Sequence, residues 1–240
     1  MQTSTSYKCN KCSDTGIIII ESENSQPSSR ECECQAEIRA NRTWDNSGFD
    51  ISQAKQTFST YKVWNESSRQ AKKVATEYYT NFKDIIKERS NSIAFIGQVG
   101  CGKTHLSIAL AVNFLKKGTP VVYMPYRDVI TKLKQNMIDE VYYNKEMNKY
   151  KNAKVLLIDD LFKGKINDTD KNIMFEIINY RYLKNMPMII SSEKQAEDIL
   201  DFDEAIGSRI LEMCKSYTVE IQGRENNYRI GDLKCLSVVR

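Results

Sequence analysis

Residues 93–110 read IAFIGQVGCGKTHLSIAL. The apolar run Ile93–Ile96 has the length of a buried strand, and His105–Lys116 places Leu106, Ala109, Leu110 and Phe114 at helical spacing. Between them, Gly97-Gln98-Val99-Gly100-Cys101-Gly102-Lys103-Thr104 matches Gly-x4-Gly-Lys-Thr/Ser in full. Strand, glycine loop and helix in this order predict a phosphate-binding loop at the edge of an α/β sheet. Glycines let the backbone turn its N–H groups toward phosphate oxygens, and the helix N-terminus adds partial positive charge. Lys103 is placed to reach the β- and γ-phosphates, and the Thr104 hydroxyl to ligate Mg²⁺. The cofactor-binding candidates here are Gly97, Gly100, Cys101, Gly102, Lys103, Thr104 and His105 at the loop's end. Cys101 occupies a variable loop position and need not be reactive. His105 is the one histidine of the chain, and as such it is also readable as a plain helix residue near the sheet. A His-rich metal site is thereby excluded.

A second buried strand must supply the acids. KVLLIDDLF does so, with apolar Val155–Ile158 followed by Asp159-Asp160 at the strand's C-terminal end. Asp159 is expected to hold Mg²⁺ through water, and Asp160 to orient or polarise the attacking water. Many phosphate-loop ATPases place Glu at the second position. Asp is one methylene shorter, which predicts slower hydrolysis or a closer water. Pro120–Met124 and Pro187–Ser191 read as further strands, with helices at Tyr126–Met137 and Lys171–Leu183. The alternation predicts α/β with a parallel sheet. Ser192 or Glu193, at a strand end, reads either as a γ-phosphate sensor or as a plain loop residue. Arg209, in EAIGSRILEMC at the start of a helical pattern, reads as a surface arginine or as a cation lent to a neighbouring subunit's nucleotide.

Cysteine usage is uneven. Cys9, Cys12, Cys32 and Cys34 form Cys-x2-Cys-x19-Cys-x-Cys, while Cys101, Cys214 and Cys235 are scattered. Two close pairs across a hairpin-sized spacer predict a structural four-thiolate Zn²⁺ site. Four thiolates leave no open position for catalysis. Ile17–Ile20 is the strand candidate of that hairpin, and residues 35–43 look helical before Ser47-Gly48 breaks the pattern. Ala71–Glu88 is amphipathic. The expected division is a zinc-binding module over 1–47, a linker over 48–70 and an ATPase domain over 71–240. No apolar run reaches membrane-span length, and MQTSTSYK lacks a signal pattern, so the expected location is the cytoplasm. The net charge of +4 neither demands nor excludes nucleic acid.

Taken together, these residues resemble the DnaC/DnaI-type replicative helicase loaders, AAA+ ATPases of bacteria and their phages. CNKCSDTGIIII…CEC resembles their zinc-binding segment and SGFD…TFSTY their linker; GQVGCGKTHLSIALA, VLLIDDLF, IINYRY, MIISSE and IGSRILE follow in family order. The resemblance implies ATP as the nucleotide, with Lys103 and Asp160 in catalysis and Arg209 as an arginine finger acting between self-associated subunits. Ser192 falls in the first sensor motif, although Ser191-Ser192-Glu193 replaces the usual Thr-Ser-Asn. It also implies that the N-terminal module grips a hexameric replicative helicase, that the ATPase domains hold single-stranded DNA, and that hydrolysis releases the loader. VYYNKEMNKYKNAK interleaves tyrosines and lysines in a way that suits single strands and equally a solvated helix; FKGKIN is a second basic stretch. Two alternatives stay open: a transposition helper ATPase gripping duplex DNA and a transposase, and an ATP-binding adaptor that barely hydrolyses.

Overall fold

The computed structural model describes residues 7, 9–20, 28–35, 38 and 55–231. The expected helix over 35–43, the Ser47-Gly48 break and Cys235 lie outside this set, apart from 35 and 38. Two sheets are present among the described residues. The first is a hairpin of β1 (Ile17–Ile20) and β2 (Ser28–Glu31), antiparallel, with Ile17 opposite Glu31 and Ile20 opposite Ser28. The second has five parallel strands: β3 (Ile93–Gly97), β4 (Val121–Pro125), β5 (Val155–Asp159), β6 (Met188–Ser192) and β7 (Thr218–Ile221). Their order is β4-β5-β6-β3-β7. Because all five run the same way, the C-terminal tips of β3, β5 and β6 meet at one edge.

Both faces of this sheet are covered, which is why its strands read as continuous apolar runs. Successive side chains alternate between two cores. Ile93, Phe95, Leu157 and Ile189 pack under α1 (Glu66–Ile85) and α2 (Lys103–Lys116). Ala94, Ile96, Leu156, Ile158 and Ile190 face the other way. They meet α3 (Tyr126–Gln135), α4 (Glu140–Lys151), α5 (Asp168–Leu183) and α7 (Glu204–Cys214), with the short α6 (Ala196–Phe202) beside α7.

Caps explain where the helices depart from periodicity. α1 starts at Glu66 rather than Ala71, because the Asn65 side chain accepts from Ser68 N while the Ser68 hydroxyl accepts from Asn65 N. α3 ends at Gln135, short of Met137. α7 starts at Glu204 because Asp203 caps it, so Arg209 lies mid-helix rather than at the start of the pattern. Among the described residues, no helix is long and apolar enough to cross a membrane.

Candidate functional site

The loop from Gly97 to Gly102 leaves β3 at the shared edge and enters α2. Gly97 has φ +100°, and a Cβ there would lie 2.2 Å from the Ile221 carbonyl oxygen. Gly102, the N-cap of α2, has φ +92°, and a Cβ there would meet the Tyr61 ring at 2.8 Å. Both need glycine. Lys103 is buried, and its Nζ donates to the carbonyls of Gly97 (2.9 Å) and Gln98 (2.6 Å). Burial lowers its pKa, against the opposing charges of Cys101, Glu193 and Asp160. The Cys101 thiol is buried and its pKa is raised for that reason.

β5 delivers Asp159 directly under the loop. Thr104 Oγ1 donates to Asp159 Oδ1 at 2.9 Å, joining the glycine loop to the acidic strand. Ser191 Oγ donates to the same oxygen, and the Tyr123 hydroxyl donates to Oδ2 at 3.1 Å. Three hydroxyls from α2, β6 and β4 therefore orient one buried carboxylate, while burial and then Asp159 push the Tyr123 pKa up. Asp160 follows with φ +55°, a left-handed conformation held by a hydrogen bond from its N–H to Ser191 Oγ (2.9 Å). Its Oδ2 pairs with Lys163 at 2.7 Å, and Lys163 also reaches Glu193 Oε1 at 3.1 Å.

Part of this set borders a cleft of about 430 Å³, while Gly97, Cys101 and Asp159 lie behind its lining. Gly100, Gly102, Lys103, Thr104, His105 and Asp160 line it, as do Lys163 and Glu193. Ser192 does not: its buried hydroxyl donates to the Leu161 carbonyl (2.7 Å) and accepts from Lys194 N (3.1 Å). Strand alternation turns Ser191 toward the acids instead. His105 closes another side, its Nε2 2.9 Å from the Thr57 carbonyl and its ring edge-on to Tyr61. Tyr61, Trp64 and Tyr228 add an aromatic wall, with Trp64 and Tyr228 centroids 4.9 Å apart. Asn65 donates to Asn226 at 2.6 Å, and Tyr228 N donates to the Gly100 carbonyl at 3.1 Å, so chain segments remote in sequence meet over the loop. Sequence reasoning missed this wall, together with Ser191 and Tyr123, and read Lys163 only as part of the basic stretch FKGKIN. Ser191 had a signal in its place in MIISSE, as Tyr61 had at the end of TFSTY.

Arg209 is not among the lining residues of its own cleft. On α7, its Nε donates to Asn179 Oδ1 (3.1 Å) and Nη1 to the Ala205 carbonyl (2.6 Å), with the guanidinium over Phe175 and Tyr182.

The β1–β2 register brings Cys9 and Cys12 beside Cys32 and Cys34, and the four sulfurs lie within 4.8 Å of one another. Cys9–Cys32 is 3.7 Å and Cys12–Cys34 is 3.5 Å. Tetrahedral thiolates at about 2.3 Å from a metal are separated by about 3.8 Å, so the cluster fits a four-sulfur site. The N–H groups of Cys12 and Lys11 pull the Cys9 thiol down to about 7. Desolvation and the neighbouring thiols push Cys34 well up. A dication relieves that crowding.

The model of the IstB-like ATP-binding proteins of IS21 matches residues 32–232. The chain belongs to this IstB-like ATP-binding family. Two Bacillus subtilis relatives cover most of it: the phage-like element PBSX protein XkdC is 37% identical over 93% of this chain and 86% of its own length. The uncharacterized protein YqaM is 38% identical over 85% of this chain and 67% of its own. An insertion sequence IS21 putative ATP-binding protein of Pseudomonas aeruginosa is 27% identical over 63% of this chain and 57% of its own. Among solved structures, the DnaC helicase loader shares the fold with TM-score 0.57 and 23% identity, over 76% of this chain and 99% of that one. A DNA replication initiation factor matches with TM-score 0.58 and 26% identity over 75% of this chain, which spans about half (53%) of that protein. This IstB-like chain therefore has the DnaC-type AAA+ fold that its motifs resemble, with a phosphate-loop ATP-binding domain.

Proposed function

We propose that this protein is an ATP-dependent loader of the replicative helicase onto single-stranded DNA, with hydrolysis acting as the release switch. The Thr104–Asp159 hydrogen bond carries the nucleotide reading, because it couples the phosphate loop to the acidic strand at the place where a magnesium–triphosphate unit needs both. In this reading Thr104 and Asp159 hold Mg²⁺, Lys103 binds the β- and γ-phosphates, and Asp160 polarises the attacking water. Arg209 faces a neighbouring subunit's cleft, so self-association completes each site. Cys9, Cys12, Cys32 and Cys34 bind Zn²⁺ and shape the module that grips the hexameric helicase, in the cytoplasm. The DnaC-type fold and the four-sulfur cluster support the loader reading.

The test combines the protein, its replicative helicase, labelled single-stranded DNA and ATP. Helicase is expected on the DNA only when loader and ATP are both present, and Lys103→Ala is expected to abolish this. Loading that ignores the protein or the nucleotide counts against the proposal. The IS21 relative favours a second reading, a transposition helper on duplex DNA. A pull-down that recovers a transposase and no helicase would select it.

A further inference from the structure

Lys163 is a cation that the phosphate-loop motif does not account for. It lies in the turn that follows β5, and several contacts fix that turn. Leu161 and Phe162 are fully buried, Leu161 N donates to the Ser191 carbonyl (2.8 Å), and Lys163 N donates to the Asp160 carbonyl (3.1 Å). Asp160 and Phe162 both take left-handed backbone angles, φ +55° and +62°. The outcome is a side chain turned back toward the sheet edge. Its Nζ bridges Asp160 Oδ2 at 2.7 Å and Glu193 Oε1 at 3.1 Å, and all three residues line the cleft that Lys103 and Thr104 border.

Two carboxylates at this edge would repel the terminal phosphate of a bound triphosphate. Lys163 reduces their combined charge from −2 to −1. Repulsion between like charges falls with distance, so the γ-phosphate feels the pair most, and a diphosphate lacks that group. Lys163 also offers its ammonium to the incoming phosphate as an alternative partner.

We propose that Lys163 is a specificity-determining residue that sets the preference for ATP over ADP by offsetting Asp160 and Glu193 at the γ-phosphate position. The proposal rests on the nucleotide reading of the cleft. Glu193 is the opposing partner, and its charge weakens triphosphate binding.

The experiment measures Kd for a non-hydrolysable ATP analogue and for ADP, with Mg²⁺, on the full chain by calorimetry. Lys163→Ala is expected to weaken the analogue about tenfold while ADP changes less than about twofold. Lys163→Arg keeps the wild-type ratio. Glu193→Gln alone tightens the analogue relative to ADP, and K163A/E193Q recovers most of the loss. Equal weakening of both nucleotides, no change, or tighter analogue binding in K163A overturns the proposal, as does a double variant as weak as K163A. Thermal melting checks that K163A folds; if it does not, E193Q decides alone, and an unchanged ratio there overturns the proposal. A wild-type protein that binds neither nucleotide sinks the nucleotide reading itself, which is a distinct result.

Discussion

Ser191 and Ser192 are adjacent, both buried, and do different work. Ser191 Oγ touches Asp159 and the Asp160 N–H, whereas Ser192 Oγ joins the Leu161 carbonyl to Lys194 N. Ser191→Ala is therefore expected to weaken magnesium-dependent ATP binding or turnover about ten- to a hundredfold, the loss of one hydrogen bond to a charged group. Ser192→Ala should cost about 1–2 kcal/mol of stability through its two abandoned backbone partners, with turnover per folded molecule unchanged. Urea unfolding and ATPase assays on the same two variants check the split; the reverse pattern would put the sensor at Ser192. Arg181 is a second residue whose role is set by burial. Fully buried, it donates to the carbonyls of Tyr150 (3.0 Å), Lys151 (3.2 Å), Ala153 (2.8 Å) and Pro187 (2.7 Å). Burial pulls its pKa down to about 9, so it still carries its charge at neutral pH. It ties α5 to the chain entering β5 and β6, the strands that carry Asp159 and Ser191. Arg181→Met is expected to destabilise the fold by about 3 kcal/mol, because the carbonyls lose a charged donor. A shift in the urea midpoint corresponding to less than 1 kcal/mol would show that these carbonyls find other partners.

At the level of elements, α7 is where the trans-acting reading is tested. Arg209 is oriented by neutral groups, the Asn179 amide, the Ala205 carbonyl and two rings, so its positive charge is not cancelled by these contacts. Mixing decides whether that charge serves a neighbour. Arg209→Ala alone and Lys103→Ala alone should each lose turnover. A mixture is expected to recover a fraction, because an R209A subunit still binds ATP and a K103A subunit still presents Arg209. A mixture as inactive as its components would place Arg209 outside the site. The strands that build this site were largely legible: β3, β5 and β6 are buried on both faces, and such strands appear as unbroken apolar runs. β7 was not, because TVEI is a four-residue edge strand with Glu220 exposed. α1 was placed late because its first turn is set by the Asn65 cap and not by apolar spacing. The aromatic wall was illegible for another reason. Tyr61 packs on Trp64 and Trp64 on Tyr228, which is remote in sequence, and no local pattern records that pairing.

The whole molecule joins two units stabilised by different means. The ATP-binding part has an apolar core on each face of its five-stranded sheet. Among its described residues the hairpin has none: Ile17, Ile19 and Ile20 are 52%, 69% and 43% exposed, and β2 is exposed throughout. Two four-residue strands are marginal on their own. A structural zinc supplies about 10–16 kcal/mol in comparable small modules, far more than this hairpin could gain by burying its isoleucines. Metal removal should therefore act on one unit only. With a strong chelator, about one zinc per chain is expected to leave, and hydrogen exchange over residues 9–20 and 28–34 should rise to that of an unfolded segment. The melting transition of the ATP-binding part and its nucleotide affinity should stay within error, while the proposed binding to a helicase should be lost. Cys12→Ser should reproduce this without chelator, since three thiolates cannot close the site. Protection of the hairpin that survives full demetallation would mean that contacts other than the four sulfurs hold it. Retained helicase binding would move the proposed gripping surface off the hairpin and onto the ATP-binding part.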